Sequence, residues 1–233
     1  DSDDFLQENA IEYLTDKAEA TNAEVVAAPF FFYYSENKMD ISGHFSFQEM
    51  TGMEYFNEIL SGRAYWSVWS NFLSRSLFER NDISFVPEIS FGEDAILMVQ
   101  LLYHTQKVVA LEQPILYYRQ IESSICHDIT PKRHEDLRTY TKWIERFMIE
   151  KGLYESYRNN LILKNIEMAF LCMHWGYYEN ADKDMKRIVK DIKKRPQLLK
   201  CLPGRQRKII KVYRFSSWLG FLNLMHYKKQ GKL

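Results

Sequence analysis

The sequence lacks most of the features that would assign it directly to a membrane, metal-binding or extracellular class. Its 233 residues contain no run of 18 uncharged apolar residues, so we expect no helix that spans a bilayer. The three cysteines, Cys126, Cys172 and Cys201, lie far apart and predict neither a disulfide framework nor a zinc site, which favours a reducing cytoplasmic setting. The six histidines show no paired ligand spacing, and no Gly-rich phosphate loop or low-complexity tract is present.

Charge is distributed very unevenly along the chain. Residues 1–150 contain 12 Lys and Arg against 25 Asp and Glu, a net charge of −13, whereas residues 151–233 contain 19 against 6, a net charge of +13. This asymmetry indicates an acidic site in the first part and an anionic partner for the second. The alternative is that two oppositely charged layers pack together. Apolar residues make up 46% of the chain, enough for a folded core under either interpretation.

Hydrophobic periodicity predicts a mixed α and β region to about residue 128 and helices alone from residue 130 onward. In the first region we expect strands at 24–34 with a break at Pro29, and further strands at 83–85, 107–111 and 115–119. Helices are expected at 5–20, 71–80 and 95–103, and at 46–60 behind a capping-box pattern formed by Ser46 and Glu49. The later helices are expected at 137–148, 154–178, 182–195 and 206–227.

Two acidic clusters are candidates for chemistry. Asp1, Asp3 and Asp4 lie in a turn that could hold a divalent metal with a diphosphate, although an acidic helix N-terminus explains such a cluster as well. Glu93 and Asp94 follow Gly92 at the start of an otherwise apolar helix. They could serve as a general base at the edge of a cleft, or they could simply stabilise the helix by about 0.3–1 kcal/mol.

Four short segments occur in an order that is typical of one family. They are Asp1-Ser-Asp-Asp-Phe5, Trp69-Ser-Asn-Phe-Leu-Ser-Arg-Ser-Leu-Phe78, Ile83-Ser-Phe-Val-Pro-Glu-Ile-Ser-Phe-Gly-Glu-Asp94 and Pro114-Ile-Leu-Tyr-Tyr-Arg-Gln-Ile-Glu-Ser-Ser124. Together they resemble bacterial family 2 glycosyltransferases, the nucleotide-sugar-dependent enzymes of the GT-A fold. The resemblance implies the C-terminal half of a GT-A α/β domain over residues 1–128, followed by a basic α-helical region over residues 129–233.

The resemblance also implies roles for individual residues. Asp1 and Asp3 would bind Mg²⁺ or Mn²⁺ with the donor diphosphate, and Asp94 would be the catalytic base with Glu93 beside it. The substrate region would include four further residues, namely Trp69, Tyr118, Arg119 and Ser123. Asn71 stands where many relatives carry a Lys. The nucleotide-binding half of the family would precede Asp1, and since the chain starts without Met or a signal core we expect a fragment that is inactive by itself.

Aromatic and basic segments suggest where substrates and partners bind. Tyr65, Trp66 and Trp69 could stack on a sugar ring, although packing in the core is the commoner role of such residues. Residues 183–229 combine a basic helical face with apolar anchors, which predicts either peripheral contact with a membrane or an ordinary solvated face. Charge reversal at Lys186, Lys190 and Lys193 should weaken such contact. No recognised nucleic-acid-binding module is present, so we expect no nucleic-acid partner.

These features favour an inverting glycosyltransferase that moves a sugar from a nucleotide-diphosphate sugar to a saccharide or lipid-linked acceptor. The expected location is the cytoplasm, with peripheral contact at the inner face of the membrane. The alternative hypothesis is a non-catalytic module that docks on a membrane or a protein partner, since the nucleotide-binding half is missing and the second part is strongly basic.

Overall fold

The computed structural model describes residues 3–121 and 130–229, with the side chains of residues 228 and 229 left out of the description. Two compact units divide the chain: a first unit over residues 1–144 and a second unit over residues 145–233. The predicted boundary at residue 128 lies outside the described residues. The first unit is mixed α and β, and the described part of the second unit is entirely helical, which confirms the predicted change of class.

The first unit contains eight short strands within its described residues. In chain order they are β1 (Phe5–Leu6), β2 (Val25–Ala27), β3 (Phe31–Ser35), β4 (Lys38–Ile41), β5 (Glu49–Met50), β6 (Asn71–Leu73), β7 (Val108–Ala110) and β8 (Leu116–Arg119). They form two four-stranded sheets, with strand orders β1-β8-β3-β4 and β5-β7-β2-β6. The strands predicted at 24–34, 107–111 and 115–119 are confirmed, including the break at Pro29 that separates β2 from β3.

The second sheet forms the centre of the first unit. β2 pairs in parallel with β7, with Val26 opposite Val109, and antiparallel with β6. Every residue of β2 and β7 is buried, as expected for parallel strands covered on both faces. The first sheet is joined to it through the chain itself, since β3 follows β2 and β8 follows β7 after a few residues.

Nine α-helices occur in the described residues. They are α1 (Ala10–Thr21), α2 (Gly52–Leu60), α3 (Arg75–Asn81), α4 (Glu93–His104), α5 (Pro131–Glu150), α6 (Tyr154–His174), α7 (Tyr178–Lys194), α8 (Gly204–Phe215) and α9 (Ser217–Lys229). Seven of the twelve residues of helix α4 are buried. None of the described helices combines the length and the apolarity needed to cross a bilayer.

Several predicted element boundaries are wrong, each for a local reason. The helix expected from residue 46 begins only at Gly52, because Thr51 and Glu54 form the capping box and Glu49–Met50 is strand β5. The segment expected to be a helix over 5–20 begins with strand β1 instead. The segment expected to be a helix over 71–80 begins with strand β6. Residues 83–85 form no strand.

The helix predicted over 206–227 is broken into two. Ser216 adopts extended backbone angles, so α8 ends at Phe215 and α9 starts at Ser217. The two helices then pack on each other at Gly220, where a Cβ would lie 2.4 Å from the Tyr213 ring. A glycine at this position therefore allows a helix–helix contact that hydrophobic periodicity does not reveal.

Candidate functional site

Asp94 occupies the first turn of α4 and owes its position to Gly92. Gly92 has a left-handed φ of 87°, and a Cβ on it would lie 2.0 Å from a ring carbon of Tyr140 in α5. Since both the backbone angle and the close approach exclude a larger residue, glycine is required here. The turn at Gly92 thus directs Glu93 and Asp94 to one end of α4.

The Asp94 carboxylate is anchored on one oxygen only. Its Oδ2 accepts a hydrogen bond of 3.1 Å from the backbone N–H of Val68, and within the described residues no other group bonds or ion-pairs with it. Burial raises the pKa of Asp94 above its usual value, and the Val68 hydrogen bond offsets part of that rise. A half-buried carboxylate with one free oxygen and no counter-cation is suited to accept a proton.

Glu93 is also half-buried, and it lies close to a third acid. Burial, followed by the charges of Asp94 and Asp136, raises the pKa of Glu93. Asp136 in α5 is 1% exposed and accepts hydrogen bonds from the backbone N–H and the hydroxyl of Ser90, at 3.1 and 2.9 Å. Lys132 also donates to Asp136, so α5 fixes the loop that leads to Gly92. Desolvation opposes ionisation of Asp136, but these hydrogen bonds hold its pKa below its usual value.

Trp69 lies one residue after the backbone group that anchors Asp94. Its ring stacks on Tyr118 of β8 with centroids 5.0 Å apart, and meets the buried ring of Phe30 edge-on at 4.7 Å. Phe32 and Tyr65 pack against the same rings, and together these five residues form the aromatic cluster: Phe30, Phe32, Tyr65, Trp69 and Tyr118. Two predicted substrate residues, Trp69 and Tyr118, are therefore in direct contact.

The acidic turn lies beside the edge of strand β8 that pairs with strand β1. Strand β1 pairs antiparallel with β8, with Phe5 opposite Tyr117, and the carboxylate of Asp4 accepts a 2.9 Å hydrogen bond from the Arg119 backbone N–H. The Arg119 guanidinium lies over the rings of Phe5 and Tyr33, so it faces away from Tyr118, as expected for neighbouring residues of a strand. The structure thus places the turn that contains Asp3 beside Tyr118 and Arg119.

Two predicted site residues, Asp1 and Ser123, lie outside the described residues. For the others, a chain of contacts connects motifs that are distant in sequence. The turn containing Asp3 and Asp4 is joined to Arg119, the neighbouring Tyr118 stacks on Trp69, and the backbone next to Trp69 binds Asp94.

A buried polar network holds the Trp69 segment in place, and the sequence analysis missed it. Asn71 is buried; its amide donates to the Ser67 carbonyl at 2.9 Å, and its side-chain oxygen accepts from the Tyr55 hydroxyl at 3.0 Å. Burial raises the pKa of Tyr55 far above its usual range, so the hydroxyl remains a donor. The residue that departs from the family pattern therefore has a structural role, which only the fold reveals because Tyr55 is 16 residues away.

The described residues contain no group of three His, Cys, Asp or Glu side chains that could hold a metal ion. Asp3 is a described carboxylate of the acidic turn, and a cation there would take one or two protein carboxylates and complete its shell with phosphate oxygens and water. Mg²⁺ binds in this manner.

Two clefts in the first unit lie elsewhere. The larger, of about 560 Å³, is lined by Lys17, His44, Glu49 and Glu112 among others, and the smaller, of about 490 Å³, by Glu24, Arg80 and Lys107 among others. Neither is lined by Asp94 or by a member of the aromatic cluster. Cleft size alone therefore does not identify the site, and the candidate site rests on the contacts of Asp94.

No protein-family model matches the sequence. The chain is 23% identical over 201 residues to the uncharacterized glycosyltransferase EpsJ of Bacillus subtilis (strain 168), an alignment that covers 82% of this chain and 58% of EpsJ. The chain therefore spans less than two thirds of that relative's length.

Solved structures of a second protein are similar over the whole chain. The crystal structure of S. aureus TarS 1–349 in complex with UDP-GlcNAc has a TM-score of 0.59 at 13% identity and covers 100% of this chain and 67% of its own. The corresponding complex with UDP has a TM-score of 0.55 at 14% identity, with coverages of 99% and 65%. The chain therefore shares the fold of TarS, and its sequence is similar to that of a glycosyltransferase.

Proposed function

We propose that this chain is the acceptor-side half of a family 2, GT-A-fold glycosyltransferase that acts with inversion. The reaction would move a sugar from a nucleotide-diphosphate sugar to a hydroxyl of a saccharide or lipid-linked acceptor. The similarity to EpsJ supports the reaction class, and the fold shared with TarS, whose crystal structures contain UDP-GlcNAc and UDP, supports a nucleotide sugar as donor. In this proposal a nucleotide-binding half completes the donor site.

The environment of Asp94 is the observation that carries the proposal. One carboxylate oxygen is fixed by the Val68 N–H, and burial raises the pKa of the group toward the range in which a carboxylate is an effective base. The same Val68 N–H precedes Trp69, so a sugar stacked on the aromatic cluster would lie near the free oxygen. Burial and the charge of Asp94 raise the pKa of the neighbouring Glu93.

The proposed step is a single displacement. The free oxygen of Asp94 takes the proton of the acceptor hydroxyl while the oxygen of that hydroxyl forms a bond to the anomeric carbon of the donor sugar. The bond from the anomeric carbon to the diphosphate oxygen breaks at the same time, and the nucleoside diphosphate leaves with the electron pair. Attack opposite to the leaving group inverts the anomeric configuration.

Asp3, with Asp1, would hold Mg²⁺ or Mn²⁺ at the acidic turn, since such a turn offers the carboxylates that these cations need in addition to phosphate oxygens. When bound, the cation would supply Lewis-acid stabilisation of the diphosphate. Strand β8 keeps this turn beside Tyr118 and Arg119 through the bond between Asp4 and the Arg119 backbone. We propose that Trp69, Tyr118, Arg119 and Ser123 take part in substrate binding, with Trp69 and Tyr118 in contact with sugar.

The test is to substitute the base in the natural full-length protein. Asp94→Asn should lower turnover by about two to four orders of magnitude, the usual range for a general base, while donor affinity is nearly kept. Asp3→Ala should instead weaken metal-dependent binding of the donor, measured by calorimetry with and without Mg²⁺. The matched control is Asp16→Asn, an exposed carboxylate on α1, which should leave both properties unchanged.

The outcomes separate the two hypotheses retained from the sequence. Normal turnover in Asp94→Asn would contradict the assignment of the base. A full-length protein that transfers no sugar from any nucleotide-sugar donor would favour the non-catalytic docking module. We place the reaction in the cytoplasm, a proposal supported by the three widely separated cysteines, whose spacing predicts no disulfide framework.

A further inference from the structure

Helix α9 is apolar on two opposite sides. Gly220 and Leu224 are buried on the side that faces α8. On the other side Trp218, Leu219 and Leu222 are exposed, by 69%, 38% and 44%. A helix that is apolar all around is normally covered on all sides. The described residues of the second unit cover only one side of α9.

Helix α8 adds to the same exposed region at its C-terminal end. Phe215 is 85% exposed, more than any other large apolar side chain among the described residues. Lys208, Lys211 and Phe215 follow at spacings of three and four residues and so share one helical face, whereas Ile209, Ile210 and Tyr213 are buried on the other. Only Ser216 separates the two helices, so the exposed Phe215 at the end of α8 and the exposed Trp218 at the start of α9 are three residues apart.

The charge around this region has one sign. Residues 192–233 contain twelve Lys and Arg and no Asp or Glu. On α7 the situation differs, because Lys186 is paired with Asp182 at 2.6 Å and Arg187 with Glu145 at 3.2 Å. Residues 192–233 therefore contribute only positively charged side chains to the helices on which the aromatic residues are exposed.

We propose that the α8–α9 corner, defined as Lys208, Lys211, Arg214, Phe215, Trp218 and Leu222, docks on the surface of an anionic lipid bilayer. Trp and Phe favour the boundary between headgroups and acyl chains, and each Lys or Arg near anionic lipid adds about 1 kcal/mol of attraction. Helix α9 is too short and too polar at its ends to cross the bilayer. The proposed docking surface thus contains fewer residues than the segment 183–229, which the sequence predicts to contact a membrane.

A bilayer fits these groups better than another macromolecule does. Nucleic acid would use the lysines but would leave Phe215, Trp218 and Leu222 exposed to water. A protein partner of ordinary composition would cover the apolar groups but would have to provide acids that match Lys208, Lys211 and Arg214. An anionic bilayer has negatively charged headgroups above an apolar interior, so one surface can bind both the basic and the apolar side chains.

The experiment is co-sedimentation of the purified chain with vesicles of phosphatidylglycerol and phosphatidylcholine, and with vesicles of phosphatidylcholine alone. We expect binding to the anionic vesicles at low salt that fades as the ionic strength rises. Lys208→Gln with Lys211→Gln should lower the partition coefficient about 25-fold, the product of two contributions of about fivefold each. Phe215→Ala with Trp218→Ala should lower it at least tenfold, since it removes the apolar anchors.

Matched controls use residues of the same type elsewhere. Phe85 is 54% exposed in the first unit, and Phe85→Ala should leave vesicle binding unchanged. Lys190 and Lys193 are exposed on α7, and Lys190→Gln with Lys193→Gln should lower binding less than the pair on α8 does. Equal losses from both lysine pairs would overturn the assignment to the α8–α9 corner and leave only a diffuse basic surface.

A spectroscopic measurement shows whether the corner enters the bilayer. Brominated lipids quench Trp emission on contact, and the quenched fraction should disappear in Trp218→Phe while vesicle binding is largely kept. Binding without any quenching of Trp218 would overturn the proposal. So would absence of vesicle binding at low salt together with a concentration-dependent dimer that Phe215→Ala with Trp218→Ala abolishes, because a second copy would then cover the corner.

Discussion

The two units of the chain carry opposite charge and use it differently. Residues 1–144 contain 11 Lys and Arg against 23 Asp and Glu, a net charge of −12, and residues 145–233 contain 20 against 8, a net charge of +12. In the second unit the acids serve as ion-pair partners, as in the contacts of Arg158 with Asp191 at 2.9 Å and of Lys164 with Glu167 at 3.0 Å. The first unit also has ion pairs, such as Arg63 with Glu58 at 2.6 Å, but among its described residues no cation is paired with Glu93 or Asp94.

This difference shows what each charge excess is suited for. An acid kept half-buried and away from cations has a raised pKa and can exchange a proton, but it lowers the stability of the fold while ionised. An acid that is paired with Arg or Lys stabilises its neighbours and loses that reactivity. The pairing in the second unit also leaves a surplus of exposed lysines, which is available for an anionic partner.

The largest effect should come from breaking the turn that positions the unpaired acids. Gly92→Ala combines a left-handed backbone with a clash against Tyr140, and we expect a loss of about 2–4 kcal/mol in the free energy of unfolding. Gly62→Ala is the matched control, since Gly62 has a similar φ of 72° but no atom within 4 Å of its Cβ position. It should cost only about 1–2 kcal/mol in the same urea titration. Equal losses at both sites would mean that Tyr140 does not constrain the turn.

A smaller effect is expected from Asp136, the paired and buried acid of the first unit. Asp136→Ala leaves the Ser90 N–H without its partner and should cost about 1–3 kcal/mol at pH 7. Because hydrogen bonds hold the pKa of Asp136 below its usual value, its stabilising contribution is present above the ordinary Asp pKa and is lost as the pH falls through the lowered value. Thermal unfolding at a series of pH values measures this, with the exposed neighbour Glu135→Ala as control. A difference between Asp136→Ala and wild type that does not shrink as the pH falls would contradict the ionic origin.

The local elements of the site could be predicted from the sequence. Helix α4 and strands β7 and β8 lie where the hydrophobic runs and their flanking residues predict them. These elements are predictable because the residues that define each pattern are neighbours in sequence. The position of Asp94 in the first turn of α4 follows from the same pattern. Its role as a base remains a prediction.

The contacts that hold the site together could not be predicted. Asp136 binds Ser90 across 46 residues, and Asp94 binds the Val68 N–H across 26. Such pairs depend on how helices and loops pack, which periodicity does not report. The helix start predicted at Ser46 is wrong for a related reason. Ser46 with Glu49 and Thr51 with Glu54 have the same spacing, and the pairing of β5 with β7 decides which of the two pairs begins a helix.

The smallest predicted effect is on the melting temperature, and it most directly distinguishes an acid without a cation partner from an acid in an ion pair. Asp94→Asn should raise the melting temperature of the chain slightly at pH 7, because it removes a carboxylate whose ionisation burial opposes and because the Asn oxygen can still accept from Val68. The sign follows from the raised pKa: the folded state holds the proton more tightly, so Asp94 is least destabilising below the ordinary Asp pKa and costs most once the pH exceeds the raised value. The gain in melting temperature should therefore vanish near pH 3.

In the second unit, Asp182→Asn should lower the melting temperature at pH 7 instead, since Asp182 is paired with Lys186 and accepts a hydrogen bond from the Tyr213 hydroxyl. A loss of stability in both variants would show that Asp94 is held as an ordinary structural acid, and the contrast between the two units would then rest on net charge alone.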